Sequence, residues 1–341
     1  MFPGLFPIED EGFDPQPVVA AANAYLAALP ASDRAGSSRA IDATEWRLWT
    51  NAFARKPHGV LLQEMSDLAR EAALAVLRES LSTSGFAEVR EAMALNGALA
   101  TLLGQYADSL TEWMYWLTIF SSPSVSEPWG WQLSGHHVDL NCLILGPQMV
   151  LTPSFLGAEF DSDRIFADQR HGALELVSSL SPRARNQAIL YPSMRADDLP
   201  VALAGRVDGR HIGGAGQDNR VVPYSGVRGD ALTPGQRELL LALSDTFTVR
   251  LPPGPAARRR HAIELHLAST YFSWIGETGP ESPFYFRIHS PVVLAEYDNH
   301  PGIFLDFDEP EPFHVHTVVR TPNGNDYGKD LLRSHYEVHH R

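Results

Sequence analysis

The stretch that decides the fold is residues 269–320, "STYFSWIGETGPESPFYFRIHSPVVLAEYDNHPGIFLDFDEPEPFHVHTVVR". It contains four runs rich in aromatic and β-branched residues, which are STYFSWIG, PFYFRIHSP, VVLAEYDN and HVHTVVR. Residues of this kind favour strands, and the Gly, Pro, Asp and Asn clusters between the runs favour turns. The block therefore predicts consecutive strands of a mostly antiparallel sheet.

The rest of the chain predicts helices before this sheet and one after it. Apolar residues recur at helical spacing through most of residues 1–110, and "DYGKDLLRSHYEVHH" at the end of the chain is amphipathic. A further hairpin is predicted with one strand over residues 129–145, a turn at Gly146-Pro147 and a second strand over residues 149–156. The expected fold class is α+β. A helical region, 1–110, packs on a mixed α/β core, 111–341, in one integrated domain.

Composition excludes several classes of protein. Lys and Arg total 27 and Asp and Glu total 41, so the net charge is −14, which disfavours a nucleic-acid partner because phosphate binding needs a cationic face. The single cysteine, Cys142, excludes an intrachain disulfide and a CxxC zinc site. No signal-peptide pattern and no apolar run of membrane-spanning length is present, so a cytoplasmic protein without a membrane partner is expected.

Histidines and carboxylates recur in otherwise apolar strands. Alternate residues of a strand share a face, so His314 and His316 lie together, as do Glu296 and Asp298. The same rule, applied to "GHHVDLN", places His137 in a polar row and leaves His136 as a buried, hydrogen-bonded partner. If these strands are neighbours, the imidazoles and a carboxylate converge on one patch of the sheet. Such a set suits iron, copper, zinc or manganese.

Two interpretations of these rows remain open. A metal site would use His137, His314, His316 and Glu296 as ligands, with Asp298 orienting a ligand imidazole. A buried network of hydrogen bonds and ion pairs among the same groups would also offset the cost of burying them. Arg287, which lies between aromatic residues in PFYFRIHSP, is predicted to hold a substrate carboxylate, or else to pair with a carboxylate of the chain.

Several motifs together resemble the family catalogued as domain of unknown function 3500. They are PWGWQLSGHHVDLN, FLGAEF, PFYFRIHSP, LAEYDN, HVHTVVR and NDYGKDLLRSHY, and the resemblance covers about residues 45–340. It implies no established activity. The sequence departs from the family's pattern at Asp139, where Ser or Thr is expected, and at "VVR", where the pattern has "VWR". Neither change removes a predicted ligand.

We therefore expect a metal-dependent enzyme acting on a small organic substrate, with a carboxylate as one candidate. A non-haem iron or copper oxidoreductase is the first hypothesis and a zinc-type hydrolase the second. The third is a non-catalytic binding protein in which the rows form a buried polar network. His335, on the C-terminal helix, is a candidate outer contact of the site, whereas His339 and His340 are expected to be solvated.

Overall fold

A computed structural model describes residues 5–54, 56–104, 106, 110–205 and 209–339 of the chain. Its helices are α1 (Gln16–Ala28), α2 (Ala31–Ser37), α3 (Asp67–Ser80), α4 (Thr83–Leu103), α5 (Asp163–Ser179), α6 (Pro182–Ala188), α7 (Pro234–Thr248), α8 (Pro253–Leu265) and α9 (Lys329–His339). The strands are β1 (Ser38–Arg39), β2 (Val60–Leu61), β3 (Tyr115–Phe120), β4 (Trp129–Gly135), β5 (Val138–Leu145), β6 (Gln148–Val150), β7 (Ser154–Ala158), β8 (Ile189–Tyr191), β9 (Val227–Arg228), β10 (Tyr271–Gly276), β11 (Phe284–His289), β12 (Leu294–Pro301) and β13 (Pro310–Arg320).

The chain divides into two compact units. The first comprises Met1–Ser154, Val249–Arg258 and Gly324–Arg341, and the second comprises Phe155–Thr248 and Arg259–Asn323. The combination of helices with a largely antiparallel sheet confirms the predicted α+β class, and the predicted C-terminal helix is α9. None of the helices that the structure describes combines the length and the apolar character needed to cross a membrane.

The first unit contains a small sheet built around β3. Strands β3, β4, β5 and β6 pair antiparallel in that order, while β1 lies parallel to β3 and β2 pairs with it antiparallel. Helices α3 and α4 begin at Ser66 and Ser82, whose hydroxyls accept hydrogen bonds from Ala69 N and Gly85 N. Serine at this position satisfies backbone N–H groups that the first helical turn leaves without partners.

The predicted strand over residues 129–145 is wrong, because the chain turns back at His136-His137. Strand β4 ends at Gly135 and β5 begins at Val138, so these two histidines form a two-residue turn. His137, the second of the two turn residues, has a φ of 64°, in the left-handed region that some tight turns adopt at this position. Alternation of side chains does not extend through a turn of this kind. The inference that put His137 in one row with Asp139 and Asn141 therefore fails.

The second unit contains the strands predicted from residues 269–320. Strands β10, β11, β12 and β13 pair antiparallel in sequence order, with β8 and β9 beside β10 and β7 beside β13. One face of these strands is aromatic: Phe286 lies opposite both Trp274 and Tyr297, and its ring stacks on that of Tyr297 at 5.2 Å. Phe247 of α7 contacts Phe286, with ring centroids 6.0 Å apart. Period-two alternation thus sends the large rings to the helical layer.

Candidate metal centre

The opposite face of the second unit's sheet carries polar side chains, and we call it the polar face. Its residues on the three central strands are Tyr285, Arg287 and His289 of β11, Glu296, Asp298 and His300 of β12, and His314 and His316 of β13. All eight are buried. Asp298 lies directly opposite His316, which confirms that the Glu-x-Asp strand and the His-x-His strand are neighbours.

The ring nitrogens of His314 and His316 lie close together on this face. Their Nε2 atoms lie 3.1 Å apart, and both side chains are almost completely inaccessible to solvent. Burial lowers the pKa of His314 to about 3, so its ring is neutral at physiological pH. A neutral imidazole has a lone pair on one nitrogen, which is the form that binds a metal ion.

His137 is held in its turn by neighbours in the first unit. Its backbone N–H donates to Asn51 Oδ1 at 2.8 Å, and its ring stacks on that of His136 with centroids 3.8 Å apart. His136 in turn lies 2.7 Å from Asn96 Oδ1 through Nδ1, so it is the buried, hydrogen-bonded neighbour that the sequence predicts. The carbonyl of His136 also accepts a hydrogen bond from Tyr115. The contacts with Asn51 and Tyr115 fix the peptide group that joins His136 to His137.

Two of the predicted ligands, His314 and His316, lie together in the second unit, and both are buried. His137, in the first unit, is the third predicted ligand and is also buried. Zinc and similar ions bind imidazole nitrogen at about 2.0–2.1 Å, which places two nitrogens of a tetrahedral site about 3.4 Å apart. The 3.1 Å spacing of His314 and His316 is close to that value. The His314–His316 pair therefore has the spacing of two ligands of one metal ion. That His137 joins them stays a prediction.

Two histidines that lie beside the His314–His316 pair were not predicted from the sequence. The ring of His300 lies 4.4 Å from that of His316 and 5.0 Å from that of His314. Burial, with the nearby His314, His211 and Arg210, holds the pKa of His300 well below its ordinary value. His211, in the loop that follows Gly209, places Nε2 3.3 Å from the carbonyl of His316.

Only one of these two histidines could have been found from the pattern. His300 continues the alternation of Glu296 and Asp298, and the predicted strand, VVLAEYDN, ends one residue before it. His211 lies in a glycine-rich segment without periodicity, so no pattern in the sequence indicates where its side chain lies.

Glu296 has hydrogen-bond partners in the loop above the polar face. Its carboxylate accepts the backbone N–H of Ile212 at 2.9 Å and that of Gly213 at 2.7 Å, and the hydroxyl of Tyr285 at 2.6 Å. The predicted ligand is therefore an anchor for residues 212–213. Whether it also binds a metal stays a prediction.

Asp298 contacts the same loop at its first residues. Its Oδ2 accepts the N–H of Arg210 at 3.1 Å, and a Cβ added at Gly209 would lie 2.0 Å from that oxygen, so the loop approaches closely only because residue 209 is glycine. Burial raises the pKa of Asp298, against the opposing charges of Arg210 and His211. Its Oδ1 accepts no hydrogen bond from the residues that the structure describes.

The two arginines near the polar face have different surroundings. Arg320 pairs with Asp218 at 2.8 Å and donates to the carbonyls of Gly213 and Gly214, so it fastens the loop from the other side. Arg287 donates to the hydroxyl of Tyr285 at 3.4 Å and to that of Ser225. Arg287 forms no ion pair with any carboxylate in the described part of the chain, so the predicted pairing with Glu296 or Asp298 is not observed there.

Other polar residues of the sequence prediction lie in the first unit. Asp139 is buried opposite Ser134, and burial raises its pKa to about 7 against the opposing charge of Lys56. His335 places Nε2 3.6 Å from Glu127. The expectation that His339 and His340 are solvated falls outside the side chains that the structure describes.

Comparison with known proteins gives a family but no relative of known activity. No curated protein matches the chain, and no solved structure matches it either. The family model described as "protein of unknown function (DUF3500)" matches residues 11–329. That match spans almost all of the chain and agrees with the resemblance seen in its motifs. The chain therefore belongs to the DUF3500 family.

Proposed function

We propose that this protein binds one transition-metal ion through His137, His314 and His316 and uses it as an enzyme on a small organic substrate. The observation that carries the proposal is the 3.1 Å approach of two buried imidazole nitrogens on one strand. Two such nitrogens repel each other when both present lone pairs. A proton shared between them removes that repulsion, and so does a metal ion that accepts both lone pairs.

Burial disfavours a charged imidazolium at this pair, so the alternative to a metal ion is a hydrogen bond between two neutral rings, in which one Nε2 carries the proton. A charged imidazolium in a buried site costs several kcal/mol unless it is paired, and the pKa of about 3 at His314 expresses that cost. A bound metal ion accepts lone pairs from neutral imidazoles, so no ring has to be protonated. Three protein ligands also leave coordination positions for substrate or water, as catalytic metal sites require.

A set of neutral imidazoles suits iron, copper and zinc, and we propose iron or copper with an oxidoreductase activity. Support comes from the surroundings of His316, whose ring lies 5.2 Å from that of Phe155. An aromatic neighbour of this kind helps to keep bulk water from a reactive centre. In this proposal Asp298 orients the histidines beside it, because its charge interacts with His211, whose Nε2 lies 3.3 Å from the carbonyl of His316.

A zinc-type hydrolase is the second candidate, and the all-histidine group favours it. Three histidines with one open position are a known zinc arrangement, in which the ion lowers the pKa of bound water to near 7. Asp298 would then be the carboxylate available as a base, since burial raises its pKa and its Oδ1 accepts no hydrogen bond from the described residues.

The two candidate functions can be distinguished without knowing the substrate, by testing a panel of small molecules. The chelated protein is reloaded separately with Fe(II), Cu(II) and Zn(II), and oxygen uptake is followed with a panel of small organic acids, alongside hydrolysis of model esters. Oxygen uptake with iron or copper that His316→Ala abolishes supports the oxidoreductase. Ester hydrolysis with zinc alone supports the hydrolase and contradicts the first candidate. The matched control is His171→Ala, a solvent-exposed histidine of α5.

A further inference from the structure

The polar face continues beyond the histidines into a block of four residues on β10 and β11. Ser273 lies opposite Arg287, and Tyr271 lies opposite His289, so these side chains share one face of the sheet. Directly opposite residues of an antiparallel pair have Cβ atoms about 5 Å apart. Ser273, Arg287 and His289 are buried, with at most 5% of their surface exposed.

The guanidinium of Arg287 is a buried cation that makes no ion pair with the residues that the structure describes. Its two hydrogen bonds go to hydroxyl groups, those of Tyr285 and Ser225, and its Nε–H has no acceptor among the described residues. The nearest acid in the register is Glu296, but the hydroxyl of Tyr285 binds that carboxylate at 2.6 Å instead. Because an unpaired charge is costly to bury, this guanidinium indicates a place for an anion.

Two neighbours of Arg287 also have polar atoms without partners. Neither Ser273 Oγ nor His289 Nδ1 makes a hydrogen bond within the described part of the chain. Burial and the charge of Arg287 lower the pKa of His289 to about 4, so the block carries a single positive charge at neutral pH. That charge balances one negative charge.

The block is covered by the segment that leads into β9. Tyr224 places its ring 4.4 Å from that of His289 and 5.0 Å from that of Tyr271, while 42% of its own surface is exposed. The segment lies tightly on β10, because a Cβ at Gly226 would lie 2.1 Å from the carbonyl oxygen of Phe272. The half-exposed ring of Tyr224 therefore covers that of His289.

The structure assigns Arg287, Ser273 and His289 to a binding site for the carboxylate of a small organic ligand, and we call these three residues the carboxylate subsite. The free Nε–H and an adjacent N–H of the guanidinium form the planar fork that a carboxylate accepts, and the hydroxyl of Ser273 supplies a third donor. A single positive charge fits a monocarboxylate better than a phosphate dianion.

This assignment rests on the proposed function and names its substrate class. Arg287 and His316 are on strands separated by β12 and are offset by two residues, which places their Cα atoms about 12 Å apart on the same face. Side chains projecting from both positions would hold a small molecule at its carboxylate and present its other end to the ion.

The test measures binding of sodium benzoate to the metal-free protein by the shift of its thermal unfolding midpoint, with sodium chloride at equal ionic strength as the reference. Benzoate is expected to stabilise the wild type saturably. Arg287→Gln should weaken binding at least tenfold and Ser273→Ala two- to fivefold, while Arg183→Gln, on an exposed arginine, should leave it unchanged.

The assignment is overturned if Arg287→Gln binds benzoate within twofold of the wild type, or if inorganic phosphate binds more tightly than benzoate. Should Arg287→Gln fail to fold, Ser273→Ala decides, and unchanged affinity in that variant overturns the assignment. The measurement is made without metal. Loss of benzoate binding therefore counts against the subsite, whereas a protein that binds benzoate but no metal contradicts the proposed function alone.

Discussion

Replacing Glu296 with glutamine should release the loop over the polar face while leaving the sheet folded. The carboxylate accepts two backbone N–H groups, from Ile212 and Gly213, and one hydroxyl, from Tyr285. A hydrogen bond to a charged acceptor contributes about 1.5–3 kcal/mol. Glutamine keeps one acceptor oxygen but sets its NH₂ group against at least one of these donors. We expect a loss of roughly 2–4 kcal/mol from the free energy of loop opening.

The assay is amide hydrogen exchange, read at Ile212 and Gly213. At about 1.36 kcal/mol for each tenfold change, protection of these two amides should fall roughly 30- to 1000-fold in Glu296→Gln. Amides of the aromatic core, such as that of Phe286, should change far less. The control is Glu264→Gln, on an exposed glutamate of α8. Protection of the two loop amides within threefold of the wild type would refute the anchoring role and return Glu296 to the candidate ligands.

Three further predictions concern stability, each measured by urea unfolding. Burial is the main cause that raises the pKa of Glu11 to about 7, so its stabilising effect is complete below pH 4.5 and is lost as the pH rises through 7. The free energy of unfolding of Glu11→Gln, relative to that of the wild type, should therefore rise by about 2 kcal/mol between pH 5 and pH 8.5. An unchanged difference between the two proteins would contradict this. Gly226→Ala should cost at least about 3 kcal/mol, because φ is +100° and the Cβ would meet β10, whereas Gly235→Ala, with open space around it, should cost nothing. Phe286→Ala, at a fully buried ring, should cost about 3–5 kcal/mol, and a loss below 1 kcal/mol would contradict the packing of the aromatic face.

The part of the site that follows from strand periodicity could be predicted from the sequence. His314 and His316 share a face because alternate residues of a strand do, and Asp298 lies opposite His316 because the two strands are consecutive and antiparallel. Consecutive strands are usually neighbours, so this pairing needed no information beyond the pattern.

The rest of the site depends on turns and loops, where side chains follow no regular alternation. His137 belongs to a turn with positive φ, so the alternation that was used to predict its direction does not apply to it. Glu296 was predicted as a ligand from its strand alone. Its partners are amides of an irregular loop, Ile212 and Gly213, whose position over the sheet no sequence pattern indicates.

The central claim, that three buried histidines hold one ion, is tested most directly by metal analysis of protein purified without a histidine tag. The account predicts about one equivalent of iron, copper or zinc in the wild type and in the exposed-residue control His171→Ala, and loss of that metal in His316→Ala and His137→Ala. Substoichiometric metal that neither of these last two substitutions changes would contradict the account, and the histidines would then be a buried polar network.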